Sequence, residues 1–250
     1  MAAKQAAGMG RRFYRLSHHS KSGWVSFQVK YRETDLWVRA RQNLVEEATS
    51  LVLTCRHQLE NYMSQHPGFL RSMKPLSYDP AAPALIRRML QAGRRANVGP
   101  MASVAGAIAE SVAHGLKRFT GAIVVENGGD CYLDLQEDVV VGVYIEPNSP
   151  FHGKVALRFT AERFPLSICT SSGTIGHSLS FGTADAVSVI SKDGALADAA
   201  ATALGNIVKS PSDIAEALEK ASLIPSLDGV LIIIKDKLAV WGELELAYPS

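Results

Sequence analysis

The stretch from Cys169 to Thr202, CTSSGTIGHSLSFGTADAVSVISKDGALADAAAT, constrains the fold more than any other part of the chain. It opens on hydroxyls and glycines, Thr170, Ser171, Ser172, Gly173, Thr174 and Gly176, and then His177. The apolar run Ala186 to Ile190 has the length and β-branched content of a buried strand. Ala195 to Val208 is alanine-rich and predicts a helix. Asp198 and Thr202 are four residues apart and so share a face of it. A converging carboxylate and hydroxyl are hard oxygen donors suited to Mg²⁺. Taken alone, the pair is better explained by a helix cap and a buried threonine. A fold that holds a polar loop, a buried strand and this helix together needs a core built by the flanking segments.

Those segments read as mixed strands and helices. Trp24 to Tyr31 alternates at period two, Arg32 to Asp35 turns, and Leu36 to Ala40 returns, which predicts a β-hairpin. Gln42 to about Gln65 switches to helical spacing and stops at His66-Pro67-Gly68. A proline-rich loop leads to a short amphipathic helix, Leu85 to Leu90, and a break at Gly93–Asn97. Val98 to Gly115 predicts a helix with Pro100 in its first turn and a run of small residues after it. Such a smooth helix packs close to a neighbour, or brings its N-terminal N–H groups to an anion. Gly121 to Val125 is a buried strand, followed by Asn127-Gly128-Gly129-Asp130 and a strand from Cys131. The two glycines allow a tight turn or close approach to a bound group. Val139–Ile145 and Lys154–Thr160 are further strands. Pro211-Ser212-Asp213 opens a helix over Ile214–Ala221, and Gly229–Ile234 pairs back with Leu238–Leu244. The pattern is α+β, a mostly antiparallel sheet layered with helices.

Composition excludes several classes. With 250 residues, 47% of them hydrophobic, the chain can bury a sizeable core. A net charge of +2 is too balanced to argue for nucleic acid. Residues 1–12 are rich in Ala, Gly, Lys and Arg and predict a disordered basic N-terminus. No run is apolar for long enough to span a membrane, and no secretory h-region stands at the start. Cys55, Cys131 and Cys169 have no zinc-type spacing and suit free thiols in a reducing, cytoplasmic setting.

Familiar catalytic signatures are missing. Ser171 or Ser172 with His177 would be a nucleophile and base, but there is no GxSxG elbow, GxGxxG or GxxxxGK[ST]. Four segments share an oddity: residues 99–110, 127–130, 170–180 and 197–202 are small and oxygen-rich within an apolar frame. Polar groups near a core must be paired, so one shared site explains all four more economically than four turns.

The runs GPMASVAGAIAE, VENGGD, CTSSGTIGHSLSFGTADAVSV and LADAAATALGN together resemble the uncharacterised-protein (UPF) family of ApbE-like proteins, distantly related to the FAD:protein FMN transferases. The resemblance implies a single ApbE-like domain over residues 13–250, Mg²⁺, and FAD or a related flavin nucleotide, with FMN moved onto a target protein. It implies Asp198 and Thr202 as metal ligands. Gly106, Asn127, Gly128, Gly129, Asp130, Thr170, Ser171, Ser172, Gly173 and Thr174 would lie against the nucleotide, and His177 would orient a phosphate or act as acid or base. Two departures stand out. The transferases' Gly-Gly-x-Ala-Lys-Gly lysine is Ala105 here, and their Asp-Pro-x-Thr-Gly is replaced by Ser180-Phe181-Gly182-Thr183-Ala184. These departures point to an alternative, a non-catalytic protein that binds a flavin or another phosphorylated, anionic metabolite. The small-residue helix and an open sheet edge would suit a homodimer.

Overall fold

The computed structural model describes residues 23–173 and 182–249. The expected disordered residues 1–12, and Thr174 and His177, lie outside that range. Eight strands form one sheet in the order β1-β2-β3-β4-β7-β8-β9-β10. They are β1 Val25–Tyr31, β2 Thr34–Ala40, β3 Ile123–Asn127, β4 Asp130–Asp134, β7 Leu166–Ser171, β8 Ala186–Ser191, β9 Leu227–Ile234 and β10 Lys237–Gly242. Every neighbouring pair is antiparallel. A second sheet has the order β11-β6-β5, from β5 Val139–Gly142, β6 Ala156–Phe159 and β11 Glu245–Ala247.

The two faces of the large sheet carry two apolar clusters. One unites Leu36, Val38, Ile123, Val125, Tyr132, Cys169, Val187 and Val189 with the helices. The other unites Leu133, Ile168, Ala186, Ile190, Leu231 and Ile233 with the small sheet. Alternation along each strand sends successive side chains to opposite layers. Central strands are therefore covered on both faces and read as continuous apolar runs; β8 is buried at every position. The helices are α1 Val45–Gln65, α2 Pro67–Arg71, α3 Ala84–Ala96, α4 Val104–Leu116, α5 Gly194–Ile207 and α6 Ile214–Ser222. Helix α5 is apolar almost all round, as its position in the middle of the helix layer requires.

Several local readings shift. The break expected at Gly93–Asn97 is the last turn of α3, which ends only where Asn97 adopts a left-handed φ of 58°. Gly93 stays helical because the chain folds back on it: a Cβ there would lie 2.8 Å from the Val98 carbonyl oxygen. Pro100 starts a 3-10 turn, residues 100–103, and α4 follows it. The stop at His66-Pro67-Gly68 opens α2. Strand β7 takes in Cys169, Thr170 and Ser171, which read as the start of a polar loop.

Candidate functional site

One end of the large sheet collects the polar segments. Register pairs Leu36 with Asn127, Asn127 with Asp130, and Cys131 with Ile168. Thr170 pairs with Ser188 and Ser171 with Val187. The turn between β3 and β4 is Gly128-Gly129, with φ of 72° and 105°. Both values favour glycine, as a two-residue hairpin demands. The buried Glu126 carboxylate accepts the Gly129 N–H at 2.8 Å.

Alternation puts Asn127, Asp130 and Cys169 on the helix side, together with Ser171. There α4 and α5 cross at very close range. A Cβ on Gly106 would lie 2.2 Å from the Gly194 carbonyl oxygen and 2.9 Å from the Asp198 Cβ. Only a glycine lets the two backbones approach so closely. The Gly106 N–H donates to Asp198 Oδ2 at 2.9 Å. Asn127 Nδ2 donates to the carbonyl of Ala105 at 3.1 Å, which ties the start of α4 to the end of β3. The Thr170 N–H donates to Asp130 Oδ1 at 3.2 Å.

Asp130 and Asp198 thus face each other across the sheet–helix boundary. Burial pushes the Asp130 carboxyl well up, and the charge of Asp198 pushes it further. Burial likewise pushes the Asp198 carboxyl up, to about 7, against the N–H groups of Gly106 and Ala105 that favour its charged form. The Cys169 thiol lies between them, 3.6 Å from the Gly194 carbonyl oxygen, and burial beside these carboxyls pushes it well up. Such burial disfavours the thiolate, the reactive form.

The expected set is partly gathered and partly divided. Gly106, Asn127, Gly128, Gly129, Asp130, Ser171 and Asp198 converge on this corner. Thr202 is one turn beyond Asp198 on α5. Thr170 contributes its N–H here, but its hydroxyl turns to the opposite face and bonds Ser188 Oγ at 2.8 Å. Ser172 and Gly173 follow β7 toward the neck of the next segment. At that neck a Cβ on Gly173 would lie 2.2 Å from the Gly182 carbonyl oxygen, and one on Gly182 would lie 1.8 Å from that of Gly205. Gly173 and Gly182 thus lie beside the end of α5 at Gly205. Residues missed in the sequence are Cys169 as a side chain of the corner, and Glu126 as the clasp of the glycine turn. Glu126 sits at the end of an apolar run, which was its only signal.

Among the described residues no three His, Cys, Asp or Glu side chains converge as a ready metal cage. The donors fit a hard cation only in part. Asp198 Oδ2 takes the Gly106 N–H, and the two carboxyls have no cationic side chain to pair with among the described residues.

This three-layered α+β fold, with polar residues at the end of its β3–β4 and β7–β8 ribbons, is the fold of ApbE-type proteins. Two solved structures share that fold: the apo flavinyl transferase ApbE of Pseudomonas stutzeri, with a TM-score of 0.58 at 12% identity over 87% of this chain and 93% of that one, and the flavin transferase ApbE of Vibrio cholerae, with a TM-score of 0.53 at 13% identity over 87% and 96%. More particularly, residues 16–229 match the family described as "AbpE bacteria", and the chain belongs to it. Its relatives include the UPF0280 proteins of Methanocaldococcus jannaschii, 40% identical over 88% of this chain and 92% of that protein, and of Methanospirillum hungatei, 39% identical over 85% and 86%. No helix among the described residues is long and apolar enough to cross a membrane.

Proposed function

We propose that this corner is a Mg²⁺-dependent pocket for a flavin-type nucleotide, and that the protein transfers or cleaves at a diphosphate such as that of FAD. The observation that carries the reading is the pair of buried carboxyls, Asp130 and Asp198, set against each other with backbone N–H groups and the Cys169 thiol as their hydrogen-bond partners. Facing carboxylates in a low-dielectric site repel, and a divalent ion would offset the repulsion. The solved neighbours, flavin transferases, supply the ligand class.

Asp198 and Thr202 would hold the metal, one turn apart on α5. When bound, Mg²⁺ would neutralise charge on the diphosphate oxygens. The chain's own residues have separate tasks. The Gly106 and Ala105 N–H groups fix the Asp198 carboxylate for the ion. Asn127 and the Gly128-Gly129 turn shape the wall, and Ser171, Ser172, Gly173 and Thr174 would offer hydroxyl and N–H donors to phosphate oxygens. In the transfer, a hydroxyl oxygen of the acceptor attacks the phosphorus of the FMN half. A new P–O bond forms, the bond to the AMP half breaks, and AMP leaves. His177 would take the proton of the attacking hydroxyl.

Ala105 favours a second reading, a binding protein without turnover. Its backbone is engaged on both sides, by Asn127 and by Asp198, and it brings no cationic side chain to the corner. Calorimetric titration with FAD, with and without Mg²⁺, on the wild type and on Asp198→Ala separates the readings. Mg²⁺-dependent binding lost in the variant, with AMP released, supports transfer or cleavage. Binding without AMP supports the second reading. No binding under either condition overturns both.

A further inference from the structure

On the opposite side of the sheet from that corner, on the face of the β1–β2 hairpin turned away from the helices, four side chains form a stack. Arg39 lies over two indoles, with its guanidinium carbon 5.2 Å from the Trp24 ring and 5.8 Å from the Trp37 ring. Arg41 lies 4.2 Å over Trp24. The order is Trp37, Arg39, Trp24, Arg41. Ser26 and Gln28, beside the stack on β1, are exposed.

The two arginines differ in one respect. Arg41 has a carboxylate: its Nη2 is 3.5 Å from Glu137 Oε1, which also accepts the Trp24 Nε1–H at 3.3 Å. Arg39 has no hydrogen-bond or ion-pair partner among the described residues, and its Nε is buried with no acceptor. Residues 1–22 and 174–181, which lie outside the described range, contain no acidic side chain. Glu137 is the one acidic group whose charge acts on Arg39, and it is already engaged by Arg41 and Trp24. A guanidinium held between two indoles is restrained, so its fork of donors is ordered at low cost in side-chain entropy. A fork of that kind matches two oxygens of one carboxylate or phosphate.

We propose that Arg39 is the centre of an oxyanion-binding site on the open face of the β1–β2 hairpin, which takes a carboxylate or phosphate group supplied from outside the chain. Trp24 and Trp37 hold the guanidinium, and Arg41, already paired, adds positive field without competing for the ligand. The inference is independent of the flavin reading, since neither Mg²⁺ nor the Asp130–Asp198 corner enters it.

The stack contains two of the three tryptophans, and Trp241 stands apart on β10, so indole emission reports on it. The full chain is titrated at constant ionic strength with inorganic phosphate, and separately with a triglutamate peptide. A saturable emission change is expected with at least one probe, and which of them saturates tells free phosphate from an acidic peptide. Arg39→Lys keeps the charge but loses the fork, and is expected to weaken binding at least about tenfold. A response no different from that to chloride with both probes overturns the site, as does unchanged affinity in Arg39→Lys. Should that variant fail to fold, the Arg39 Nε–H resonance of the wild type decides: a saturable shift supports the site, and an unmoved resonance overturns it.

Discussion

Helix α5 meets α4 twice, and the two meetings treat carboxylates in opposite ways. At the first turn of α5, the buried Glu110 accepts the Gly194 N–H at 2.8 Å and pairs with Arg88. Arg88 also reaches Asp193 at 3.3 Å, the residue that caps the helix by accepting the Leu196 N–H. Burial alone would lower the Arg88 guanidinium, but the hydrogen bond and charge of Glu110, with Asp193, push it up. Four residues along, Asp198 receives the Gly106 N–H and looks at Asp130 with no cation beside it among the described residues. Carboxylates neutralised from within hold a structure together. At the second meeting burial raises both carboxyls, and the charge of Asp198 raises Asp130 further, with no internal cation to offset either.

Gly106 belongs to both meetings, so filling it should disturb both. Gly106→Val would drive a side chain into the Gly194 carbonyl. It is expected to lower stability by about 3 kcal/mol, read from denaturant unfolding. A cost below about 1 kcal/mol would mean that the helices part easily, and the contrast between their two contacts would lose its basis. Arg88→Met comes next. It strands Glu110 in the core without its cation, and is expected to cost about 2 kcal/mol, less than a fully buried pair because Arg88 is 31% exposed. An unchanged midpoint would show that the Gly194 N–H alone satisfies Glu110.

These two places were not equally legible in the sequence. The helix α5 pair, Asp198 and Thr202, and the Gly128-Gly129 turn stand out because glycines and hydroxyls inside apolar runs break a pattern. The large-sheet strands with clear apolar runs, Ile123–Asn127 and Leu227–Ile234, were readable for the same reason. Strand β7 was not, because its two faces meet two different cores and its serines and cysteine sit among apolar neighbours, so neither alternation nor a plain apolar run appears. Nor could spacing announce that Thr170 divides its work, giving its N–H to Asp130 and its hydroxyl to Ser188. The Arg88–Glu110–Asp193 cluster joins residues some 20 and 80 positions apart, which only the fold brings together.

Asp198→Asn sharpens the comparison from the other side. An asparagine oxygen still accepts the Gly106 N–H, while the buried carboxyl that pushes Asp130 up is replaced by a neutral amide. In the absence of divalent ions the variant should be more stable than the wild type by about 1 kcal/mol, the reverse of the sign for Arg88→Met. Excess Mg²⁺ should then raise the melting temperature of the wild type and leave that of the variant where it was. A variant less stable than the wild type without Mg²⁺ would place Asp198 with the structural carboxylates.

The smallest effect belongs to His114. Its Nε2 meets the Tyr132 hydroxyl at 2.9 Å and lies 3.8 Å from Glu110, and its side chain is 52% exposed. Water competes for a group so placed, and the cation that matters to Glu110 is Arg88. A glutamine at this position keeps a polar partner for the buried Tyr132 hydroxyl, whose proton is held by burial and by the charges of Glu110 and Asp134. His114→Gln should therefore shift stability by no more than about 0.5 kcal/mol in either direction. A loss as large as that of Arg88→Met would mean that the network depends on its exposed rim as much as on its buried pair. The first meeting of α4 and α5 would then no longer be a self-sufficient counterweight to the second.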